Sequence, residues 1–89
     1  MPSCELTIVN RLGMHARAAA EFTRTAAQYK SSIFVSKDGL EINGKSIMGV
    51  LMLAAAQGSV IHIRAEGDDA RDAIQALTQL VENRFGEEE

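Results

Sequence analysis

The 89 residues of this chain are enough for one small domain with a single core and little else. Hydrophobic residues at 46% favour folding over disorder, and 4% aromatics with no Trp make that core aliphatic. A net charge of −3 and a pI near 5.3 argue against nonspecific nucleic-acid binding, which rests on Lys and Arg neutralising phosphates. The one cysteine, Cys4, excludes an internal disulfide and an all-cysteine metal site. It reads as a small apolar residue of an N-terminal strand and fits a reducing compartment. Met1-Pro2-Ser3-Cys4-Glu5 has neither the basic nor the apolar region of a signal peptide. No apolar run approaches the roughly 20 residues needed to span a bilayer. The expectation is a soluble cytoplasmic protein with no cofactor, one domain over residues 1–89, its core over about 4–86 and an acidic tail at 87–89.

Leu6-Thr7-Ile8-Val9 is apolar and rich in β-branched residues, and predicts a first strand. Asn10 to Met14 breaks that pattern, with Gly13 as the turn residue. From Ala16 to about Tyr29 the composition favours helix, and Ala19, Phe22, Ala26 and Tyr29 recur at spacings of three and four, defining a buried face. Ser32 to Ser36 predicts a second strand. Lys37-Asp38-Gly39 is a hairpin signal, because Asp-Gly tolerates positive φ, and Leu40-Glu41-Ile42 alternates as a third strand. Asn43-Gly44-Lys45 turns again. Ser46 is placed to cap a short helix running to about Leu53, ended by Gln57-Gly58. Ser59 to Ala65 predicts a fourth strand, with Ile61, Ile63 and Ala65 on one face and His62 and Arg64 on the other. Gly67-Asp68-Asp69 leads into a last helix with an Asp at its N-cap. Ala70, Ile74, Leu77, Val81 and Phe85 form its apolar stripe. Glu87-Glu88-Glu89 reads as a frayed, solvated tail. The order β-α-β-β-α-β-α in so short a chain predicts an α+β fold, one sheet with helices collected on one face and water on the other.

His15 is the residue with chemistry. It ends a glycine-containing loop and begins an alanine-rich helix. The positive field of a helix N-terminus favours the neutral ring, whose free lone pair makes it a nucleophile. The unpaired first-turn N–H groups of Ala16, Arg17 and Ala18 can donate to phosphoryl oxygens. Arg17 supplies a cation for charge that develops during transfer. Gly13 lets the loop curl close without a Cβ in the way. The plainer reading is a solvated cap-region histidine beside a surface arginine. His62, mid-strand on the solvent face with no glycine loop or helix start nearby, reads as structural.

Leu12-Gly13-Met14-His15-Ala16-Arg17 resembles the active-site motif of the HPr family, the histidine-containing phosphocarriers of the bacterial phosphoenolpyruvate-dependent sugar phosphotransferase system (PTS). Asn43-Gly44-Lys45-Ser46-Ile47-Met48-Gly49-Val50-Leu51-Met52 is similar to the family's second signature, around its regulatory serine. The resemblance spans roughly residues 4 to 86. It implies an open-faced β-sandwich, a four-stranded antiparallel sheet covered by three helices. It also implies a protein that carries phosphoryl groups without turning over a reaction of its own. His15 would accept a phosphoryl group on Nδ1 from enzyme I and pass it to IIA domains of sugar permeases, with Arg17 as the companion cation. One position departs from the pattern: the family's usual proline after the arginine is Ala18 here. Proline fixes φ and lacks an N–H that the first turn does not need. Alanine still starts a helix, with a less rigid first turn and one more N–H.

The resemblance further implies phosphorylation of Ser46 by HPr kinase/phosphorylase and binding of the product to a catabolite repressor. A phosphoserine at a helix N-terminus is electrostatically tolerated. Ile47, Met48 and Leu51 lie at helical spacing on a helix too short to bury every side. They would dock against enzyme I and IIA domains, with Arg24, Lys45 and Arg11 steering acidic partners. The acidic end and the Leu51-Met52-Leu53-Ala54 run also suit the nitrogen-related PTS branch, which ends in a regulatory IIA protein. A mainly regulatory carrier is a further variant, and a freely diffusing carrier is expected to be a monomer. A different class, a small α+β binding module with an idle His15, is the competing expectation. Its RNA-binding version lacks interleaved strand aromatics. Its metal-binding version lacks ligand spacing among His15, His62 and Cys4.

Overall fold

Alternating burial, clearest in the first and last of four short strands, sets the architecture. The computed structural model describes residues 2–89. Its strands are β1 (Ser3–Thr7), β2 (Ser32–Lys37), β3 (Leu40–Asn43) and β4 (Val60–Glu66), paired antiparallel in the spatial order β1-β4-β2-β3. The register sets Leu6 beside Ile61, Cys4 beside Ile63 and Ile63 beside Val35, so one face of the sheet is aliphatic. The helices α1 (Ala16–Ala27), α2 (Ile47–Met52) and α3 (Ala70–Glu82) supply Ala19, Phe22, Val50, Ala73, Leu77 and Val81 to the same buried core. The period of two in the strands and 3.6 in the helices is what turns these residues toward one another. The expected β-α-β-β-α-β-α order and open-faced sandwich are therefore what the chain adopts.

The open face carries the other set of side chains. His62 Nε2 lies 3.0 Å from Glu5 Oε2, both largely exposed. Arg64 reaches Glu41 at 2.9 Å and sits 4.1 Å over the Phe34 ring. His62 is thus a surface cross-strand partner, with no helix start beside it.

Several boundaries differ from those expected, each for a local reason. The first strand starts earlier, at Ser3, and ends at Thr7. Polar Ser3 and Glu5 belong on the open face, and Ile8 and Gly58 continue the pairing by backbone bonds beyond the strand. Asp38 and Gly39 both take positive φ, 51° and 86°, as a two-residue hairpin turn requires. The short helix ends at Met52, with Leu53 as its C-cap, well before Gln57-Gly58; the next residue, Ala54, has a φ of 50°, an alanine where glycine usually ends a helix. Phe85 is buried as expected, but α3 ends at Glu82 and Phe85 belongs to the 3-10 turn Arg84–Gly86 that follows.

Asp69 stands at the N-cap of α3, yet its side chain makes no capping bond there. Its carboxylate instead accepts from the backbone N–H groups of Lys30 and Ser31, at 2.8 and 2.9 Å, and from the Ser31 hydroxyl. The Ser31 hydroxyl and the Lys30 N–H hold the Asp69 carboxyl below the usual aspartate range. Since the folded value is the depressed one, the stability this gives is complete above the ordinary range and is lost as pH falls through the folded value. Asp69→Asn is expected to unfold at lower urea at neutral pH and to flatten the acid limb of the stability profile. Equal urea midpoints for variant and parent at neutral and at acid pH would remove Asp69 from this role.

Candidate phosphoryl-transfer site

The loop before α1 is built by one asparagine and one glycine. Gly13 takes φ +69°, and a Cβ there would lie 2.7 Å from the Ala55 carbonyl oxygen and 2.9 Å from Ala56 Cα. Only glycine permits that approach. The following residue, Met14, donates its N–H to Ala55 O at 2.8 Å and buries its side chain in the core. Asn10, fully buried, donates from Nδ2 to Gly13 O at 2.8 Å and closes the turn from inside. Its Oδ1 has no hydrogen-bond partner among the described residues. The loop is therefore pinned at both ends of the Asn10–Met14 stretch before His15 begins the helix.

His15 is the N-cap of α1, with extended backbone at φ −79° and ψ −179°. Its Nδ1 accepts from the backbone N–H of Arg17 at 3.3 Å. A histidine nitrogen thus serves where Ser, Thr, Asp or Asn usually caps. The first-turn N–H groups of Ala16 and Ala18 have no carbonyl four residues back within the helix. Ala18 itself is fully buried, so its methyl is part of the core. Arg17 is exposed and has no ion-pair partner among the described residues. His15 and Arg17, with Arg11, Leu12 and residues 86–89, line an open cleft of about 660 Å³.

The acidic tail is not frayed. Glu87 Oε2 lies 2.5 Å from His15 Nε2, and Glu87 Oε1 accepts from Asn10 Nδ2 at 3.0 Å. Glu89 pairs with Arg11, through Nη1 at 2.9 Å and through the Arg11 backbone N–H. Positive φ at Arg84, Phe85 and Gly86 (58°, 56° and 81°) reverses the chain after α3 and brings these carboxylates back to the loop. Burial pushes the Glu87 carboxyl up. The hydrogen bonds from Asn10 and His15, with the nearby charges of His15 and Arg17, outweigh it and hold the group below the usual glutamate range. Sequence reasoning missed Asn10 and Glu87 because neither falls on a periodic face. The one available signal was a run of carboxylates after a glycine.

The second expected region is α2. Ser46 is its N-cap, its Oγ accepting from Gly49 N at 3.1 Å. Ile47 and Met48 are exposed, at 46% and 72%, whereas Val50 and Leu53 are buried. Leu51 is half-buried against the core, so it offers a partner less than its neighbours. Leu12 and Met52, absent from the expected set, are more than 60% exposed. Of the expected steering cations, Arg24 pairs with Glu21, Lys45 Nζ donates to Tyr29 O at 2.7 Å, and Arg11 holds Glu89. Arg17 is the cation left turned to the cleft. No group of three or more His, Cys, Asp or Glu among the described residues is placed to hold a metal ion. Among the described residues, no helix is long and apolar enough to cross a membrane.

A histidine at a helix start beside an unpaired arginine, on an open-faced sandwich whose α2 exposes apolar side chains, defines the class of small phosphocarriers. The family model described as "PTS HPr component phosphorylation site" matches residues 2–83. Phosphocarrier protein HPr of Neisseria meningitidis is 51% identical over 84 residues, 94% of each chain. That of Pseudomonas aeruginosa is 46% identical over 90 residues, covering both chains in full. The crystal structure of HPr-C-His from Thermoanaerobacter tengcongensis superposes with a TM-score of 0.97 at 47% identity over the whole of both chains. The chain belongs to the HPr family and is a phosphocarrier of the PTS.

Proposed function

We propose that His15 Nδ1 is the atom that carries the phosphoryl group, received from enzyme I and passed to IIA domains. The observation that supports this most directly is the geometry of the ring. Nδ1 faces the first turn of α1, where it takes the Arg17 N–H. In the phosphorylated state the same N–H groups are placed to donate to phosphoryl oxygens. Arg17, unpaired beside the cleft, stabilises the charge that spreads over those oxygens during transfer. The protein acts as a cytoplasmic, monomeric carrier and completes no turnover of its own. Which sugars follow is a property of the permeases that receive the group.

Partners dock on the exposed apolar side chains of Ile47 and Met48, with the half-buried edge of Leu51 between the two faces of α2. An exposed patch containing methionine adapts to more than one partner surface. Ser46, at the N-terminus of that helix, is the regulatory site, modified by HPr kinase/phosphorylase and then read by a catabolite repressor. Phosphorylation there adds nearly two negative charges beside the docking patch and repels an acidic partner. A carrier confined to the nitrogen-related branch would use the same His15 with a different IIA acceptor.

The test is to incubate the protein with phosphoenolpyruvate and enzyme I and to read intact mass. A gain of one phosphoryl group that acid removes supports the carrier at His15. A mass that stays unchanged with an enzyme I from the same organism overturns it. For Ser46, removal of the cap is expected to cost about 1 kcal/mol in Ser46→Ala, whereas Ser46→Asp keeps a capping oxygen and loses little. Urea unfolding separates the two. The Asp variant is expected to receive phosphoryl groups from enzyme I more slowly than the Ala variant despite its greater stability. Equal rates for the two variants count against charge at this position controlling docking.

A further inference from the structure

We propose that Glu87, held by the buried Asn10, is a positioning residue for transfer: it fixes the His15 ring with the proton on Nε2 and the lone pair on Nδ1. This rests on the reading of His15 as the phosphoryl carrier. Among the described residues the two ring nitrogens have one partner each, and the partners are of opposite kind. An ionised carboxylate only accepts, so Nε2, 2.5 Å from Glu87 Oε2, is the donor. A backbone N–H only donates, so Nδ1, 3.3 Å from Arg17 N, is the acceptor. Both constraints select the same tautomer, and it is the one a nucleophilic Nδ1 needs.

The carboxylate is itself fixed. Asn10 Nδ2 donates to Gly13 O and to Glu87 Oε1, which ties the turn that leads to His15 and the acid beneath it into one unit. Phe85, buried two residues before, anchors the reversal that delivers Glu87. His15 and Glu87 side chains are 28% and 12% exposed, so the pair is far less screened than an ordinary surface contact. The family match ends at residue 83, so Glu87 lies outside it.

The chemistry gives the carboxylate a second use. With a phosphohistidine donor, the Nδ1 lone pair forms the new N–P bond. The donor's N–P bond breaks and its pair returns to the donor nitrogen. The Nε2 proton stays where it is, so the His15 ring gains a positive charge as the bond forms. Glu87 faces that charge directly. Discharge to an acceptor reverses the same changes, and no proton has to leave the ring.

The experiment uses the full chain labelled with ¹⁵N in its histidine rings, as parent, Glu87→Ala and Glu87→Gln, with thermal unfolding to confirm folding of each. The parent His15 is expected as the single Nε2–H tautomer at neutral pH. Glu87→Ala is expected to show a mixture of tautomers. Its kcat for label uptake from phosphorylated enzyme I is expected to fall about ten-fold, with KM unchanged because α2 is untouched. Glu87→Gln, whose amide oxygen still accepts, is expected to keep the tautomer and fall between the two in rate. A parental tautomer or a parental rate in Glu87→Ala overturns the positioning role and leaves the carrier reading intact. A parent chain that takes no label overturns both, while its ring spectrum still reports whether Glu87 sets the tautomer.

Discussion

His15→Ala is expected to take no phosphoryl label from enzyme I, while His62→Ala labels at the parental rate. The contrast is physical. Both histidines face a carboxylate, Glu87 and Glu5 respectively. Only His15 also has a nitrogen turned to the start of a helix, with an unpaired arginine two residues on. His62 sits mid-strand on an open sheet face, with no N–H groups free to take phosphoryl oxygens. Removing the His15 ring also removes a helix cap, which costs about 1 kcal/mol, or roughly 4–8 °C in melting temperature for a domain of this size. The variant is therefore expected to remain folded, and its loss of labelling is a loss of chemistry. Acid-labile label on a folded His15→Ala protein would move the carrier role to another residue.

The parts of this molecule that obey a period were legible in the sequence. The alternation of Ile61, Ile63 and Ala65 and the spacing of Ala19, Phe22 and Ala26 each identified a buried face, and the core is made from them. His15 was legible for a different reason: the glycine before it and the alanines after it mark a loop-to-helix junction, which is an electrostatic site in itself. The C-terminal segment was not legible. A stripe through Phe85 predicted more helix, but the chain reverses at Arg84 and Phe85 with positive φ, which side chains of this size rarely adopt. Nothing local in Arg84-Phe85-Gly86 announces that conformation. It is selected by tertiary contacts, with Phe85 in the core and Glu87 and Glu89 reaching Asn10, His15 and Arg11. In the sequence Asn10 is one more loop residue, because its value lies in long-range bonds to a segment 77 positions away. Asp69 was expected to cap its own helix. It serves a loop 38 residues earlier instead, a choice that only the packed fold makes.

Gly13→Ala is expected to lose both stability and transfer. The first cost is conformational: φ of +69° is penalised for any residue with a Cβ, by roughly 1 kcal/mol. The second is a collision with backbone. The new methyl would sit 2.7 Å from Ala55 O and 2.9 Å from Ala56 Cα, and neither atom can rotate aside as a side chain would. The loop has to lift, which strains the Met14–Ala55 hydrogen bond and draws Met14 out of the core. Together the expected loss is about 2–4 kcal/mol. His15 is only two residues further on, and a displacement of its ring by about 1 Å is enough to slow transfer about a hundred-fold. Gly39→Ala is the control. Its φ of +86° carries the same conformational penalty, but nothing lies within 4 Å of the added methyl. That variant is expected to lose about 1 kcal/mol and to carry phosphoryl groups at the parental rate. Urea midpoints and kcat/KM with enzyme I, measured on both variants, separate strain from collision. Equal losses at the two positions would mean that the close approach of residue 13 to Ala55 does not hold His15 in place.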